Sequence, residues 1–213
     1  MGSPHLVEQV LTITSGGNWA TGLHQARDAM NIFYLDNNPR RCAEMHTDKH
    51  CVKMILEYAQ LLSTAHRVLD GVPTTGHSRS GRKRTTYVLT NNRDNDTLYA
   101  ATHINHPSAI WVRQSKRNYM WLAKLLETLC SEYTYRYRKI HKVERTGLMQ
   151  LLQNQFPKNL TMAPFTEPTL AMPDHYKISN DAIQSYKNYY LGDKQHLFAW
   201  KNREAPLWVS VTA

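Results

Sequence analysis

Between Pro39 and Leu69 apolar side chains return at three- and four-residue spacing. Val52, Ile55, Leu56, Ala59 and Leu62 form a stripe that predicts one long helix with that side in a core. Asn37 or Asn38 supplies a cap, Pro39 suits the first turn, where its missing N–H costs nothing, and Asp70-Gly71 reads as the stop. Ahead of it, Met30-Asn31-Ile32-Phe33-Tyr34-Leu35-Asp36 is dense enough in large apolar groups to predict a short buried strand or extended segment. Residues 71–97 lose the periodicity: Gly71, Pro73, Gly76, Gly81 and a group of Asn and Asp residues predict a long polar loop. A second helix is predicted to start at Pro107 and to run through Trp111, Leu122, Leu125, Leu126 and Leu129 towards His141, with room for a break. Pro157, Pro164, Pro168 and Pro173 predict an irregular surface segment, and a last helix is expected from Asn180 to about Trp200, capped by Ser179 or Asn180. The pattern is that of a mainly α protein, a single-domain helical bundle with long irregular loops.

Residues 1–29 stand apart. Ser15, Gly16 and Gly17 interrupt a weakly apolar stretch whose charged groups are Glu8, Arg27 and Asp28, so the segment reads as an N-terminal appendage to a domain of residues 30–213. Those three groups sum to −1 against a chain total of +9, so the basic character belongs to the body, and it favours polyanionic partners such as DNA, RNA or an anionic membrane surface. No apolar run approaches the roughly 20 residues of a membrane span, and the first ten residues lack the basic start and apolar run of a secretory signal. Three cysteines, Cys42, Cys51 and Cys130, make an odd number without a CxxC pair, which points away from a disulfide framework or a cysteine zinc site and towards a reducing cytoplasm. No cofactor is expected.

The candidate chemistry begins at His46. On one continuous helix His46, His50, Lys53 and Glu57 fall at i, i+4, i+7 and i+11 and share a face that continues through Gln60 and Thr64 to Arg67. A partly desolvated Lys49 or Lys53 would be a nucleophile able to attack a sugar carbon through a Schiff base, with Glu57 moving protons and His46 and His50 orienting phosphate. Two histidines four apart can also bind a metal with Asp48 or Glu57, but without an HExxH pattern the signal is weak and no metal is expected. A solvated helix face accounts for the same spacing.

A second group is His103-Ile104-Asn105-His106-Pro107 with Arg113, Lys116 and Arg117: a helix starting near His106 offers free backbone donors to a phosphate, and the cations add charge. His106 can equally be a plain cap, and Trp111 and Trp121 read as core. A third, Tyr133 to Lys142, interleaves aromatic and basic side chains, so Arg136 and Arg138 are candidate phosphate contacts beside rings that can stack on bases. Arg79, Arg82, Lys83 and Arg84 in the polar loop would clamp phosphate. Tyr186, Tyr189 and Tyr190 read as core packing.

Taken together, MNIFYLD, HTDKHCVKMILEYAQLLSTAHRVLDG, THINHPSAIWVRQSKRNYMWL, EYTYRY, AMPDHYK and YKNYYLGDK resemble a widespread group of small phage and prokaryotic proteins, over most of residues 30–213. These blocks carry no activity over with them. A more distant likeness is to the phage pyrimidine-dimer DNA glycosylases of the endonuclease V type, resting on size, an early His-containing helix, a later aromatic and basic helix, and the ending Tyr189-Tyr190-Leu191-Gly192-Asp193-Lys194. That resemblance implies catalysis by the amine of the N-terminus with a glutamate. Here Met1 lies well ahead of MNIFYLD, so such an amine requires a chain beginning at Met30, and a lysine would otherwise have to replace it. The expectation is a DNA-processing enzyme, a glycosylase with or without lyase activity acting on a damaged or modified base flipped from the duplex. The alternatives are a transferase or nucleotide hydrolase of phage base modification, or a non-enzymatic DNA-binding accessory protein.

Overall fold

The computed structural model of the chain describes residues 30–77 and 80–210. The expected appendage and Arg79 lie outside the described residues. What is described is mainly α, with one two-stranded antiparallel sheet among the described residues. Helices α1 (Pro39–Met45) and α2 (Asp48–Asp70) lead into strands β1 (Val72–His77) and β2 (Lys83–Val88). They are followed by α3 (Asn92–Thr97), α4 (Pro107–Gln114), α5 (Lys116–Tyr137), α6 (Lys142–Arg145), α7 (Leu148–Asn154), α8 (Ala182–Asp193) and α9 (Leu207–Ser210).

The core forms where α2 and α5 cross, with α4 and α7 closing further sides of α2 and α1 lying on α5. Residues 31–35 run through it without strand partners, and the chain is buried from Met30 to Leu35. Buried backbone groups need partners, and side chains supply them. Phe33 N donates to the Tyr58 hydroxyl at 3.2 Å and Leu35 N to Cys42 Sγ at 3.4 Å, while the Asn31 amide donates to Ala171 O at 2.8 Å and accepts from the Tyr186 hydroxyl. The proline-rich stretch wraps the outside: Phe165 packs against Tyr34, Trp111 and Trp121, and Trp111 Nε1 donates to Thr166 O.

The single long helix expected from Pro39 is two helices. Asn38 caps the first through its side chain. At its end the His46 ring turns back to Cys42 O, and Arg136 donates to His46 O, the carbonyl that a continuous helix would have offered to His50 N. His50 N turns instead to Thr47 Oγ1, which caps α2. His46 is therefore off the helix that carries His50, Lys53 and Glu57, and the four do not share a face. The apolar stripe also needs correction. Ile55, Ala59 and Leu62 are buried, but Val52 and Leu56 are 40% and 42% exposed, because α2 is enclosed on most sides and these two border an opening.

The expected loop at 71–97 holds a hairpin and a short helix. Pro107 does open a helix, capped by the His106 ring through Ser108 N. The break falls at Ser115, whose hydroxyl caps α5. The helix expected from Asn180 begins at Ala182 under Asp181, one residue past the later expected cap, and stops at Asp193, short of Trp200, with α9 following it. Cys42, Cys51 and Cys130 are free and buried, and burial pushes each thiol up to about 12.

Candidate functional site

The middle of α2 turns Glu57 to a boundary between core and solvent. Its side chain is 9% exposed, and both carboxylate oxygens are held. Oε1 lies 3.2 Å from Lys53 Nζ, one helical turn earlier, and Oε2 accepts from the Met30 backbone nitrogen at 3.0 Å. Met30 itself sits at φ 67°, a left-handed conformation that a long side chain rarely adopts. Beside the carboxylate opens a cavity of about 610 Å³, walled by Val52, Leu56, Gln60 and Tyr99, with Lys53, His141 and Lys142 at its margin. Its lining joins three segments distant in sequence. Tyr99 is brought there because Arg67 donates to Tyr99 O and Thr64 bonds both backbone groups of Thr102, fixing the 99–102 segment against α2. His141 is set by capping α6, its Nδ1 accepting from Val143 N while its ring packs edge-on to Tyr133. Burial holds the His141 pKa below its ordinary value.

Behind this opening lies a neutral polar layer. Cys42 O can only accept, so the neutral His46 ring carries its proton on Nδ1 and its Nε2 accepts from the Tyr58 hydroxyl, whose oxygen in turn accepts from Phe33 N–H. Burial drives the His46 pKa down to about 4, with the Arg136 cation adding to the effect. His50 stacks on Phe33 at 4.2 Å and shares a 2.6 Å hydrogen bond with the Tyr190 hydroxyl. Burial, then the neighbouring His46 ring and the Lys194 and Lys53 cations, keep its pKa well below the usual histidine value. Both rings are neutral near pH 7 and shut off from phosphate, His46 fully buried and His50 3% exposed. They serve as internal hydrogen-bond partners.

The expected site residues separate into different surroundings. Lys53 stands beside Glu57, half exposed. Lys49 is exposed near the start of α2 and lies outside the cavity lining. His103 is exposed with Nδ1 against Thr102 Oγ1 at 2.7 Å, whereas His106 borders a different cavity of about 610 Å³ with Ala171, Met172, Asp174 and Lys177. Burial, then the neighbouring His103, lowers the His106 pKa. Arg113 is half-buried, turned back to Ala109 O. Lys116 lies 4.6 Å over the Phe156 ring, and with Arg117 it lines a third cavity with Met120 and Met162. Arg138 is exposed at a left-handed C-cap, 5.8 Å from the Tyr135 ring.

Arg136 requires the plainest correction. Its side chain is buried, paired with Glu132 at 2.8 Å and Asp48 at 3.0 Å, and donates to His46 O and Glu44 O as well. No donor is left facing a phosphate, and its role is to tie α1 and the start of α2 to α5. Arg82, Lys83 and Arg84 are exposed, on the turn and second strand of the hairpin. The sequence pattern draws Gln60 and Met30 to Glu57 and sets His141 and Lys142 in a separate contact stretch, but Tyr99 and the convergence of all five on Glu57 are not legible in it. Their sequence signals are single residues of ordinary type, and contacts across the fold bring them together. Among the described residues, no three His, Cys, Asp or Glu side chains gather as a metal site, and no helix is long and apolar enough to cross a membrane.

Comparison with protein-family models, with curated proteins and with solved structures finds no match to this chain.

Proposed function

We propose that the protein is a DNA glycosylase acting on a damaged or modified pyrimidine through an amine beside Glu57. The observation that carries this reading is the pairing of a largely buried carboxylate with two nitrogens, Lys53 Nζ at 3.2 Å and Met30 N at 3.0 Å, at the edge of a cavity. Tyr99 offers a ring, and Val52 and Leu56 apolar walls, to a flipped base, while Lys53 and Lys142 suit the flanking phosphates.

In the reaction, the free amine donates its lone pair to C1′ of the deoxyribose. The C1′–N bond breaks, and its electron pair leaves with the base, which takes up a proton. The amine then loses a proton, the sugar ring opens at O4′, and an iminium joins protein and sugar. Glu57 is the group placed to accept and return these protons.

The glycosylases that the sequence resembles use an N-terminal amine with a glutamate, and Met30 N is in contact with Glu57. In a chain beginning at Met30 that nitrogen would be an α-amine, with an ordinary pKa of about 8 against about 10 for a lysine side chain, and so the better nucleophile at neutral pH. Such a chain would also have no φ at Met30 and none of the roughly 1–3 kcal/mol that a left-handed non-glycine residue costs.

The test uses duplex DNA carrying a panel of modified pyrimidines, with the full chain, a chain starting at Met30, and Lys53→Ala and Glu57→Gln in each. Base release and borohydride trapping of a protein–DNA adduct are expected, both lost in Glu57→Gln. Adduct formation that survives Lys53→Ala in the shorter chain assigns the amine to Met30. Intact DNA across the whole panel with both chains removes the reading.

A further inference from the structure

The strands Val72–His77 and Lys83–Val88 form a two-stranded ribbon with both faces in solvent. Its register pairs Val72 with Val88, Pro73 with Tyr87, Thr74 with Thr86, Thr75 with Thr85, Gly76 with Arg84, and His77 with Lys83. Because side chains alternate across a strand, Arg84 stands on one face with Thr74 and Thr86, and Lys83 and His77 stand on the other with Thr75 and Thr85. Only Gly76 and Tyr87 among the strand residues are even half-buried. A two-stranded ribbon with no covered face is marginal in water, so this one is held from its base.

Arg67 provides that hold. From α2 it donates to Tyr87 O at 2.9 Å on the second strand, and to Asn95 Oδ1, Asn95 O, Leu98 O and Tyr99 O around it. Gly71 lets the first strand pass close to Arg67 O and Tyr87. The base is fixed, while Lys83 and Arg84 at the start of the second strand are exposed.

The charge is of one sign: from Gly71 to Asn92 the sequence has no Asp or Glu, while Arg82, Lys83 and Arg84 follow the turn. Cations on both faces suit a slot between two anionic walls, whereas a flat anionic surface would ask for one charged face. The major groove of B-DNA is such a slot, about 12 Å wide, and it admits a two-stranded ribbon with phosphates on either side. The paired threonines supply hydroxyls and methyls that suit base edges and thymine methyl groups. Glu57 lies ten residues before Arg67 on the same helix, about 15 Å along its axis. That corresponds to about four or five base-pair steps at 3.4 Å each.

We propose that the 72–88 ribbon inserts into the major groove of duplex DNA and fixes the register in which the duplex meets the Glu57 cavity. The inference builds on the DNA reading above, and its test avoids base release, so either can fail alone. The full chain carrying Glu57→Gln, with and without Arg82→Ala, Lys83→Ala and Arg84→Ala together, is titrated by fluorescence anisotropy with unmodified duplex DNA across salt concentrations.

Losing three phosphate contacts should weaken binding about 10- to 100-fold near physiological salt and lower the slope of log K against log salt by about 2.7. Duplex DNA should bind more tightly than its single strand or duplex RNA, and guanine N7 should be protected from methylation by the parent and not by the triple variant. Equal melting temperatures establish that the variant is folded. An unchanged affinity and slope, or no preference for duplex DNA, overturns the proposal.

Discussion

Arg136 offers a sharp test, because its sequence surroundings and its position in the fold forecast opposite results. As a phosphate contact among tyrosines, its loss would weaken DNA binding and leave stability alone. In the fold it is buried, with Nε and both terminal nitrogens committed to Glu132, Asp48, His46 O and Glu44 O. Burial alone would raise the Glu132 carboxyl, yet it is held below its ordinary value by hydrogen bonds from Arg203 and Arg136. Arg136→Ala removes one of these two partners, orphans two carbonyls and empties a large buried volume. Breaking a buried pair on one side costs about 3–5 kcal/mol, about a fifth or more of the roughly 5–15 kcal/mol that holds a domain of this kind together. Arg136→Lys should recover little, since one ammonium cannot span the same four acceptors. In urea denaturation with a Glu132→Gln double-mutant cycle, the double variant should lose less than the sum of the singles, because the carboxylate left behind supplies part of the cost. Under native conditions the DNA affinity of the folded variant should match the parent. Unchanged stability together with affinity at least about tenfold weaker, the loss of a direct charged contact, would refute the structural role.

Two further outcomes follow from the same core. His46 and His66 are buried and burial holds both near pKa 4, His66 with its Nε2 on the Tyr119 hydroxyl. The unfolded chain takes up protons from about pH 6.5 downwards and the folded chain does not until about pH 4, so stability must fall as pH falls through that window, by about 2 kcal/mol per ring at pH 5. Urea midpoints at about pH 7 and pH 5 measure this, and equal midpoints would show that these rings are protonated in place. Gly71→Ala would set a Cβ 2.5 Å from Arg67 O and 3.0 Å from Tyr87 Cβ. The base of the ribbon should part at a cost of about 1–3 kcal/mol, read as faster hydrogen exchange confined to residues 72–88, and unaltered exchange there would mean that the two segments do not meet so closely.

The parts of the fold that could be read from the chain are those whose causes are local. Asn38 before Pro39, and His106 before Pro107, mark helix starts because cap and first turn are neighbours in sequence. Lys53 and Glu57 meet because one helical turn separates them. The errors arise where a distant group takes over a local choice. Nothing near His46 announces that Arg136, on another helix, will take its carbonyl and divide the helix there. The interleaving of Tyr and Arg from Tyr133 to Arg138 looks the same whether the guanidinium ends on phosphates or on interior carbonyls. The ribbon escaped notice for a different reason. A strand is recognised by one apolar face alternating with one polar face, and Thr-Thr-Gly-His paired with Lys-Arg-Thr-Thr has no apolar face to reveal.

That last failure bears on function. A sequence that omits the core-facing half of a strand has given up the usual means of stabilising it, and the fold compensates with Arg67, which ties the second strand to α2 through Tyr87 O and fixes the following segment through Asn95, Leu98 and Tyr99. The same helix carries Glu57 and the exposed Val52 and Leu56 beside it. Helix α2 is thus a rigid bar between the bare cationic ribbon and the cavity with its guarded carboxylate. Movement at one end cannot be absorbed by a loop before it reaches the other. A surface ornament would need no such mounting. The proposed groove-binding element would, since on that proposal it holds a long, stiff polyanion at a set distance from Glu57, and Arg67 suits such a mounting by spending every donor on backbone and amide oxygens instead of reaching solvent.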